Sequence, residues 1–532
     1  MIIVVAEKIS AAAVDLLREP RWNIVTPEQI DGKLVAHLAN ADALIVRSAV
    51  QVDAALLEHA TKLRAIGRAG VGVDNIDLDA ATRKGIAVMN TPGANAVAVA
   101  EHTLGMMLGM ARHLSRADAL MHAGKWEKKS LQGTELRGKT LGVVGLGRIG
   151  MEVAKRAQAF GMEVVGHDPF VSSVVAKERG IRLAGLDELY GVADYVTLHV
   201  GVTPQTAGMI NAESLKKMKK GSRLVNCARG ELVEEAALIG ALKQGHLAGA
   251  ALDVFGEEPL KNSPLAAMTN VLLTPHIGGS THEAQEAVGV QIAQQIKEYL
   301  KHGVIQNAVN VPSVSHDEYL EMQPYIVLAE KLGAFLAQVS QGRLEEISLR
   351  YSGHIAEMKT ELVRNAAIKG ILNQGLEEKA NLVNATTIAA GLGLQVHESH
   401  KPKASSGGSG SVLSLMLKTS EQEHMVKGAV LHQQTPRLLQ VDGIDVEAPL
   451  GRSLILLRNK DVPGVIGRVG TILGRHEINI ADFSLGRGVI AGGKGERRAI
   501  AVVHVDGRVP EGVLKALRRI PAVEEAKAIR LG

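Results

Sequence analysis

The stretch that most constrains the fold of this 532-residue chain is the sequence GLGRIG at Gly145–Gly150. The apolar segment 139–144 before it predicts a short buried strand, and the segment 151–157 after it predicts a helix. A second apolar segment, 163–167, predicts another strand and is followed by Asp168. Strand, glycine turn, helix, strand and acid succeed one another in the order of a dinucleotide-binding βαβ unit. We therefore expect a parallel α/β sheet of the Rossmann type.

The glycines of this motif predict a site for the phosphates of a dinucleotide. Gly145 is expected to permit a tight turn, Gly147 to let the backbone approach a pyrophosphate, and Gly150 to let the helix pack on the strand. The helix N-terminus offers unpaired N–H groups and the positive end of its dipole to the phosphates. Its first residues, Arg148 and Ile149, are therefore included among the expected cofactor contacts.

The carboxylate of Asp168 predicts which dinucleotide is bound. It lies 18 residues after Gly150, where it can accept hydrogen bonds from both hydroxyls of the adenosine ribose. Its charge would repel a 2′-phosphate at the same place. The sequence therefore favours NAD over NADP.

Composition and charge narrow the class of protein. Apolar residues make up 46% of the chain and aromatic residues only 2%, so the cores must consist of small aliphatic side chains, as in parallel α/β sheets. The net charge of +4 is too small to indicate binding to nucleic acid or to a membrane. The single cysteine, Cys227, suits a reducing cytosol. With neither a signal-peptide pattern after Met1 nor a membrane-spanning apolar run, we expect a cytoplasmic protein.

The alternation of predicted strands and helices divides the chain into four units. The helical stretch 281–302 extends past the nucleotide unit and can return to the first one, which makes the first domain discontinuous and flavodoxin-like. The last unit has the element order βαββαβ and is expected to be ferredoxin-like. A Gly/Ser-rich segment at 403–411 predicts a loop. The predicted boundaries are 1–95 with 277–305 for the substrate domain, 96–276 for the NAD domain, 306–450 for an intervening α/β domain and 451–532 for the last domain.

Three polar residues follow three consecutive predicted strands of the NAD domain, namely Arg229, Glu258 and His276. Since ligands bind off the carboxyl ends of such strands, these side chains are expected to converge beside the cofactor. Oxidation of a secondary alcohol needs a base for the hydroxyl proton, and histidine titrates nearest neutral pH. A carboxylate behind the histidine fixes its tautomer, and an arginine can hold a substrate carboxylate through two parallel hydrogen bonds. The trio therefore predicts a 2-hydroxy acid substrate.

Together with the glycine motif, the segments 225–231, 251–259 and 272–279 that carry these residues resemble the D-isomer-specific 2-hydroxyacid dehydrogenases, and the resemblance covers residues 1 to about 305. The resemblance implies NAD as cofactor, and it implies that Arg229 anchors the substrate, Glu258 orients the histidine and His276 is the acid/base. For Cys227 a role as a small buried packing residue is the alternative, and we prefer it to any nucleophilic role. Cofactor contacts are further implied at Thr203, Cys227, Ala228, Asp253, His276, Gly278 and Gly279.

Segments 66–75 and 88–92 resemble the branch of this family that oxidises 3-phospho-D-glycerate. By its chemistry alone, Arg47 is either a fork-shaped donor for a phosphate or a surface cation. The resemblance assigns Arg47 and Ser48 to the substrate phosphate, and no residue is assigned as a metal ligand. The substrate contacts implied in total are Arg47, Ser48, Gly70, Asn95, Arg229 and Gln285.

The C-terminal half resembles the long members of that branch, which carry an intervening domain of the allosteric substrate-binding type and a terminal ACT domain. Segments 461–464 and 478–480 match the amino-acid-binding signature of ACT domains. The resemblance implies serine as an effector at Asp461 and Asn479 and a homo-oligomer, expected to be a tetramer. Serine-binding relatives often carry an aromatic residue or histidine where this chain has Asn459, so a dimerisation module without a ligand is the alternative.

Two other functions stay open on the sequence alone. A hydroxypyruvate or glyoxylate reductase would need no phosphate grip, which Arg47 and Ser48 argue against. A non-catalytic NAD-sensing protein could share the dehydrogenase half, but the ACT domain and the intact catalytic trio favour an enzyme. The sequence thus favours oxidation of 3-phosphoglycerate with NAD, the first committed step of L-serine synthesis.

Overall fold

The structure, a computed structural model, describes residues 1–312, 314, 316–376, 379–402, 410–431, 435–489 and 497–531. Most of the predicted loop at 403–411 lies outside the described residues. Four sheets follow one another along the described chain, with five, seven, six and four strands. No helix in the described ranges is long and apolar enough to cross a membrane.

The first sheet is parallel and has the strand order 2-1-3-4-5, which is the flavodoxin-like order. Its central strands are buried on both faces, as the unbroken apolar run at 43–46 predicts. The strands are β1 (Ile2–Val5), β2 (Asn23–Val25), β3 (Ala43–Val46), β4 (Ala65–Arg68) and β5 (Ala87–Met89), and the helices between them are α1 (Ala11–Leu16), α2 (Pro27–Ile30), α3 (Leu34–Leu38), α4 (Ala54–Glu58) and α5 (Leu78–Arg83).

The second sheet has seven parallel strands in the order 3-2-1-4-5-6-7, counted within the domain. This is the Rossmann order that the glycine motif predicts. Its strands are β6 (Thr140–Val144), β7 (Glu163–His167), β8 (Arg182–Leu183), β9 (Tyr195–Leu198), β10 (Arg223–Asn226), β11 (Gly249–Leu252) and β12 (Val271–Leu273). Its helices are α6 (Ala96–Ala111), α7 (Leu114–His122), α8 (Arg148–Ala159), α9 (Ser173–Glu178), α10 (Leu186–Val192), α11 (Ala212–Lys217) and α12 (Glu235–Lys243), with 3₁₀ turns at Lys128–Leu131, Gly230–Leu232 and Pro264–Ala267.

The apolar pattern of the sequence predicts one long helical stretch from about Ala96 to His122, and this prediction is wrong because α6 and α7 are separate helices. His113 has a left-handed backbone with φ of 53°, which ends α6 and turns the chain. The sequence shows no glycine or proline there, so the apolar pattern gave no sign of the break. No residue of α7 is buried, and Leu114 and Met121 are 55% and 56% exposed.

Helix α13 (His282–His302) packs on the first sheet. Thr281 caps it by accepting a hydrogen bond from the backbone N–H of Ala284. The helix buries Val288, Ile292 and Ile296 in one core with Ile3 and Ile45 of the sheet. The chain therefore crosses between the two sheets at α6 and again just before α13, while the predicted domain boundaries themselves stay predictions.

The C-terminal half holds two further α/β units. The six-stranded sheet has the order β14-β13-β15-β16-β17-β18, and the four-stranded sheet has the ferredoxin-like order 4-1-3-2 with the predicted βαββαβ connection. The strands are β13 (Leu344–Ser352), β14 (Gln395–Lys401), β15 (Val412–Thr419), β16 (Glu423–Leu431), β17 (Thr435–Val441), β18 (Ile444–Pro449), β19 (Ser453–Lys460), β20 (Ile480–Val489), β21 (Arg497–Val505) and β22 (Val523–Arg530). The helices are α14 (His316–Val339), a 3₁₀ turn at His354–Glu357, α15 (Glu361–Leu372), α16 (Ala385–Gly391), α17 (Val465–Arg475) and α18 (Glu511–Arg518).

Candidate active site

The glycine loop between β6 and α8 has the geometry of a phosphate-binding turn. Gly145 has φ of 93°, a conformation that L side chains rarely adopt. A Cβ on Gly150 would lie 2.0 Å from the carbonyl oxygen of Gly145, so the helix packs directly on the turn. A Cβ on Gly147 would meet nothing within 4 Å, which leaves open space beside the first N–H groups of α8. The loop therefore fits a bound pyrophosphate.

Asp168 lies at the end of β7, where its carboxylate faces the glycine loop. One oxygen accepts the N–H of Leu146 and the other accepts the N–H of Phe170, both at 2.8 Å. Each oxygen keeps a further lone pair that a ribose hydroxyl can use. Arg148 turns away from the loop, because its Nη1 donates to the carbonyl of Pro92 at 2.7 Å and so bridges to the connection before α6.

The predicted catalytic pair is in direct contact. His276 Nδ1 lies 2.7 Å from Glu258 Oε2, while Glu258 Oε1 accepts the N–H of Phe255 at 3.1 Å. An ionised carboxylate can only accept, so we assign the imidazole hydrogen to Nδ1, which leaves the lone pair on Nε2. His276 is half exposed and has a left-handed backbone with φ of 54°. Its backbone N–H donates to the carbonyl of Asp253 at 2.8 Å, which fixes the residue to the end of β11.

Arg229 emerges at the same edge as this pair, because β10, β11 and β12 end in register. Asn226 pairs with Leu252, and Leu252 pairs with Leu273. The Arg229 guanidinium donates to its neighbouring carbonyl at 2.7 Å and lies 3.1 Å from Asp74 Oδ2 on the loop after β4. Through Arg229, the predicted catalytic trio of the second sheet therefore meets a loop of the first sheet.

The predicted phosphate-binding residues lie on the loop after β3. Glu7, which follows β1, accepts the N–H groups of Arg47, Ala49 and Val50 at 2.7, 3.0 and 3.2 Å. These bonds fix the loop and leave the side chain of Ser48 exposed. Since β3 and β4 are in register, Gly70 after β4 lies at the same edge of the sheet.

Asn95 and Gln285 lie on either side of Gly279. The Gln285 amide donates to the carbonyl of Gly279 at 2.9 Å, and a Cβ on Gly279 would lie 3.0 Å from Asn95 Nδ2. The Asn95 Oδ1 atom is buried and has no hydrogen-bond partner among the described residues. An orphaned buried acceptor is costly unless a ligand completes it, so this position fits a substrate contact.

Arg68 also lies in this site, although the sequence pattern indicated no role for it. Arg68 ends β4 as a partly buried cation, and burial, followed by the charge of Arg229, lowers the pKa of its guanidinium. Within the described chain its Nε atom is buried without a partner. The signal was the same one that identified Arg47, a charged residue at the end of an apolar strand. Glu7, at the end of β1, carries that signal too.

The remaining predicted cofactor residues differ in environment. Burial raises the pKa of the Cys227 thiol to about 12, despite a hydrogen bond with Thr103, so the thiol is protonated at neutral pH and fits the packing role. Ala228 donates its N–H to Asn226 Oδ1 at 3.0 Å. Thr203 lies on an exposed turn after β9, where its N–H donates to Thr206 at 2.8 Å.

Asp253 is the most buried acid of the site, with its side chain 1% exposed. Burial pushes the pKa of this carboxyl upward, but hydrogen bonds from His102, Thr274 and the N–H groups of Ile277 and Gly278 outweigh it, so the pKa is lowered. The Gly278 N–H donates at 2.8 Å. The carboxylate therefore stays ionised and ties the segment after β12 to the end of β11.

The two residues predicted to bind an effector do not share a cavity in the described chain. Asp461 lines a cavity of about 460 Å³ and lies 3.4 Å from Arg487. Its other walls are largely apolar, among them Leu457 and Phe483. Asn479 is exposed and donates instead to Asp506 at 2.7 Å.

Comparison with known proteins adds independent evidence. The profile described as D-isomer specific 2-hydroxyacid dehydrogenase, NAD binding domain, matches residues 104–278. The D-3-phosphoglycerate dehydrogenase intervening domain matches 321–442, and the ACT domain matches 453–522.

Relatives match over the whole chain. A D-3-phosphoglycerate dehydrogenase of Methanocaldococcus jannaschii is 41% identical over 99% of this chain and 99% of its own length. One of Synechocystis sp. is 39% identical over 99% of this chain and 94% of its own length. The crystal structure of a glyoxylate reductase from Paecilomyes thermophila aligns with a TM-score of 0.53 at 30% identity, covering 58% of this chain and 98% of that one.

The Rossmann sheet, the glycine loop and the matching profile define an NAD-dependent oxidoreductase of the D-isomer-specific 2-hydroxyacid dehydrogenase class. The C-terminal half narrows this class, since both the intervening and the ACT profiles match. With full-length relatives at about 40% identity, the chain belongs to the D-3-phosphoglycerate dehydrogenase family.

Proposed function

We propose that this enzyme oxidises 3-phospho-D-glycerate to 3-phosphooxypyruvate with NAD, as the first step of serine synthesis. The observation that carries the proposal is the 2.7 Å contact between His276 and Glu258, at a sheet edge whose Arg229 meets a loop of the first sheet. Arg47 and Arg68 end neighbouring strands on that side. The arrangement supplies a base and cationic groups for a substrate with two anionic ends.

The residues divide the chemistry between them. NAD, when bound at the glycine loop, supplies the hydride acceptor for the C2 hydrogen. His276 Nε2 takes the C2 hydroxyl proton as the C2–O bond becomes a carbonyl, and Glu258 stabilises the imidazolium that forms. Arg229 exchanges its contact with Asp74 for the substrate carboxylate and polarises the adjacent C2 oxygen.

The phosphate is held by the loop after β3. The carboxylate of Glu7 binds the backbone N–H of Arg47 and not its side chain. The Arg47 guanidinium and the exposed Ser48 hydroxyl therefore stay available to the phosphate. Asn95 and Gln285 add amide groups from the starts of α6 and α13. Amide groups from both connections between the sheets then contact the same substrate, and the phosphate grip of the loop after β3 favours the phosphorylated acid over hydroxypyruvate or glyoxylate.

The test is NADH oxidation with 3-phosphooxypyruvate and with hydroxypyruvate. Arg47→Ala should raise KM for the phosphorylated substrate about tenfold or more, since a lost charge-assisted bond is worth about 1.5–3 kcal/mol. KM for hydroxypyruvate should stay almost unchanged, because that substrate has no phosphate. Arg18→Ala is the matched control, because Arg18 is 71% exposed on the same domain and pairs with Asp15. Higher efficiency on hydroxypyruvate than on the phosphorylated acid would make the enzyme a hydroxypyruvate reductase instead.

We further propose that serine regulates the enzyme at the ACT domain of a cytoplasmic homotetramer. The ACT profile and the cavity at Asp461 support the effector site, and exposed Leu114, Met121 and Trp126 on and after α7 support an interface between copies. The proposed regulation by serine is tested by measuring enzyme activity at increasing serine concentrations, for the full chain and for its Asp461→Ala variant. Inhibition that the substitution abolishes supports the site, whereas indifference of the full chain to millimolar serine would contradict it.

A further inference from the structure

The side chain of His102, in the middle of α6, joins the buried carboxylate of Asp253. His102 Nε2 lies 3.1 Å from Thr274 Oγ1 and 3.4 Å from Asp253 Oδ1. Thr274 Oγ1 in turn lies 2.6 Å from Asp253 Oδ1. Three elements of the NAD domain thus meet at one carboxylate, with α6 supplying the histidine, the end of β12 the threonine and the end of β11 the acid.

The direction of each hydrogen bond follows from the chemistry of the groups. An ionised carboxylate only accepts, and the lowered pKa of Asp253 keeps it ionised. At 2.6 Å the Thr274 hydroxyl therefore donates to Asp253 and not to the sulfur of Met106, which is 3.7 Å away. Since that hydroxyl hydrogen is committed, Thr274 Oγ1 can only accept from His102, so the hydrogen of the imidazole is on Nε2.

The two oxygens of Asp253 are used unequally. Oδ1 accepts hydrogen bonds from the Thr274 hydroxyl at 2.6 Å and from the N–H of Ile277 at 2.9 Å, and His102 Nε2 lies 3.4 Å away from it. Oδ2 receives only the N–H of Gly278, at 2.8 Å, among the described residues. A carboxylate offers about four lone-pair sites, so Oδ2 retains capacity for a further donor.

We propose that His102 is a positioning residue for the cofactor: its Nε2–H holds Thr274 Oγ1, the donor to Oδ1, in place, so that Asp253 Oδ2 faces the carboxamide N–H₂ of the nicotinamide. The inference rests on the NAD site proposed at these strand ends. Rotation of this acid would break the bonds of Oδ1 with Thr274 and Ile277 and the bond of Oδ2 with Gly278, so the free lone pair of Oδ2 is held in one direction. His102 is itself 20% exposed and does not need to contact the cofactor to act.

The experiment measures dinucleotide affinity, with the full chain, by isothermal titration calorimetry. His102→Leu removes the donor, His102→Gln retains an N–H, and His59→Leu is the matched control because His59 is exposed at the end of α4, away from both proposed sites. The two probes are NAD and 3-acetylpyridine adenine dinucleotide, whose methyl ketone keeps the carbonyl but lacks the carboxamide N–H₂. Thr274→Val removes the hydroxyl that links His102 to Asp253. It is the second variant to measure if His102→Leu does not fold.

His102→Leu is expected to raise Kd for NAD about tenfold, as when outer partners of a binding group are removed, and to leave Kd for the acetylpyridine analogue within about twofold of wild type. His102→Gln should recover most of the NAD affinity. Equal losses with both dinucleotides, or a Gln variant as weak as the Leu variant, would overturn the inference and make His102 a packing residue. A wild-type enzyme that binds neither probe would overturn the NAD site itself.

Discussion

Alanine substitutions at Gly147 and Gly150 should separate cofactor binding from folding, although the two positions are only three residues apart. A methyl group on Gly150 would lie 2.0 Å from the backbone oxygen of Gly145 and 3.3 Å from Val143 Cγ1. A backbone oxygen cannot swing aside like the end of a side chain, so the turn and α8 must separate. A methyl group on Gly147 would enter open space.

The expected magnitudes follow from these distances. Overpacking of this kind costs about 1–3 kcal/mol, which lowers Tm of a domain of this size by roughly 2–12 °C for Gly150→Ala. Gly147→Ala puts a poorer residue at the N-cap of α8 and should cost only about 0.5–1 kcal/mol. That methyl group occupies the approach to the pyrophosphate, so NAD affinity should fall at least tenfold.

Thermal unfolding with and without NAD measures both effects at once. At a concentration of 100 times Kd, NAD should stabilise the wild-type protein by about 2.7 kcal/mol, and a tenfold weaker Kd reduces this to about 1.4 kcal/mol. Without NAD, Gly147→Ala should therefore lower Tm by no more than about 1–4 °C, and with NAD it should lose about half of the NAD-induced shift. A Gly147→Ala protein with the full shift, or a Gly150→Ala protein with the wild-type Tm, would refute the roles assigned to these glycines.

Three further outcomes are expected. His276→Ala should lower kcat by roughly 10²–10⁴-fold with NADH affinity little changed, and near-normal turnover would remove His276 from the mechanism. Asp168→Ala should weaken NADH binding and reduce the preference for NADH over NADPH. Fluorescence titrations with both cofactors measure this preference, and an unchanged ratio of the two Kd values would contradict the prediction. At pH 8, iodoacetamide should alkylate the native protein far more slowly than the unfolded protein, because a pKa of about 12 leaves roughly 10⁻⁴ of Cys227 as thiolate; intact-mass kinetics that are equal for both would contradict this.

The parts of the fold that local pattern determines could be predicted from the sequence. The apolar run at 163–167 is a strand of that length in the structure, and the glycine spacing predicted the strand order of the sheet around it. The break between α6 and α7 could not be predicted, since it depends on the left-handed backbone of His113 rather than on a residue type that stops helices.

The sequence predicted which residues would carry the chemistry of the site, but it did not predict which residues hold them in position. The pairing of His276 with Glu258 follows from strand ends that align, which the sequence could indicate. The contacts of Glu7 with the loop at Arg47, and of His102 with Asp253, join residues from separate elements. Such contacts depend on tertiary packing, so neither spacing nor periodicity reveals them. The separation of Asp461 from Asn479 likewise became visible only in the structure.

The return of α13 to the first sheet has a consequence for synthesis on the ribosome. Ile3 and Ile45 are covered by Ile292 and Ile296, so this face of the sheet stays uncovered until some 250–290 further residues have been translated. At about 5–20 residues per second, this leaves an apolar surface exposed for roughly 12–60 s. Nascent chains arrested before residue 282 should therefore bind a chaperone or a hydrophobic dye, and chains arrested well beyond residue 302 should release it. The first segment to be synthesised thus completes its core only after the whole second sheet has been made.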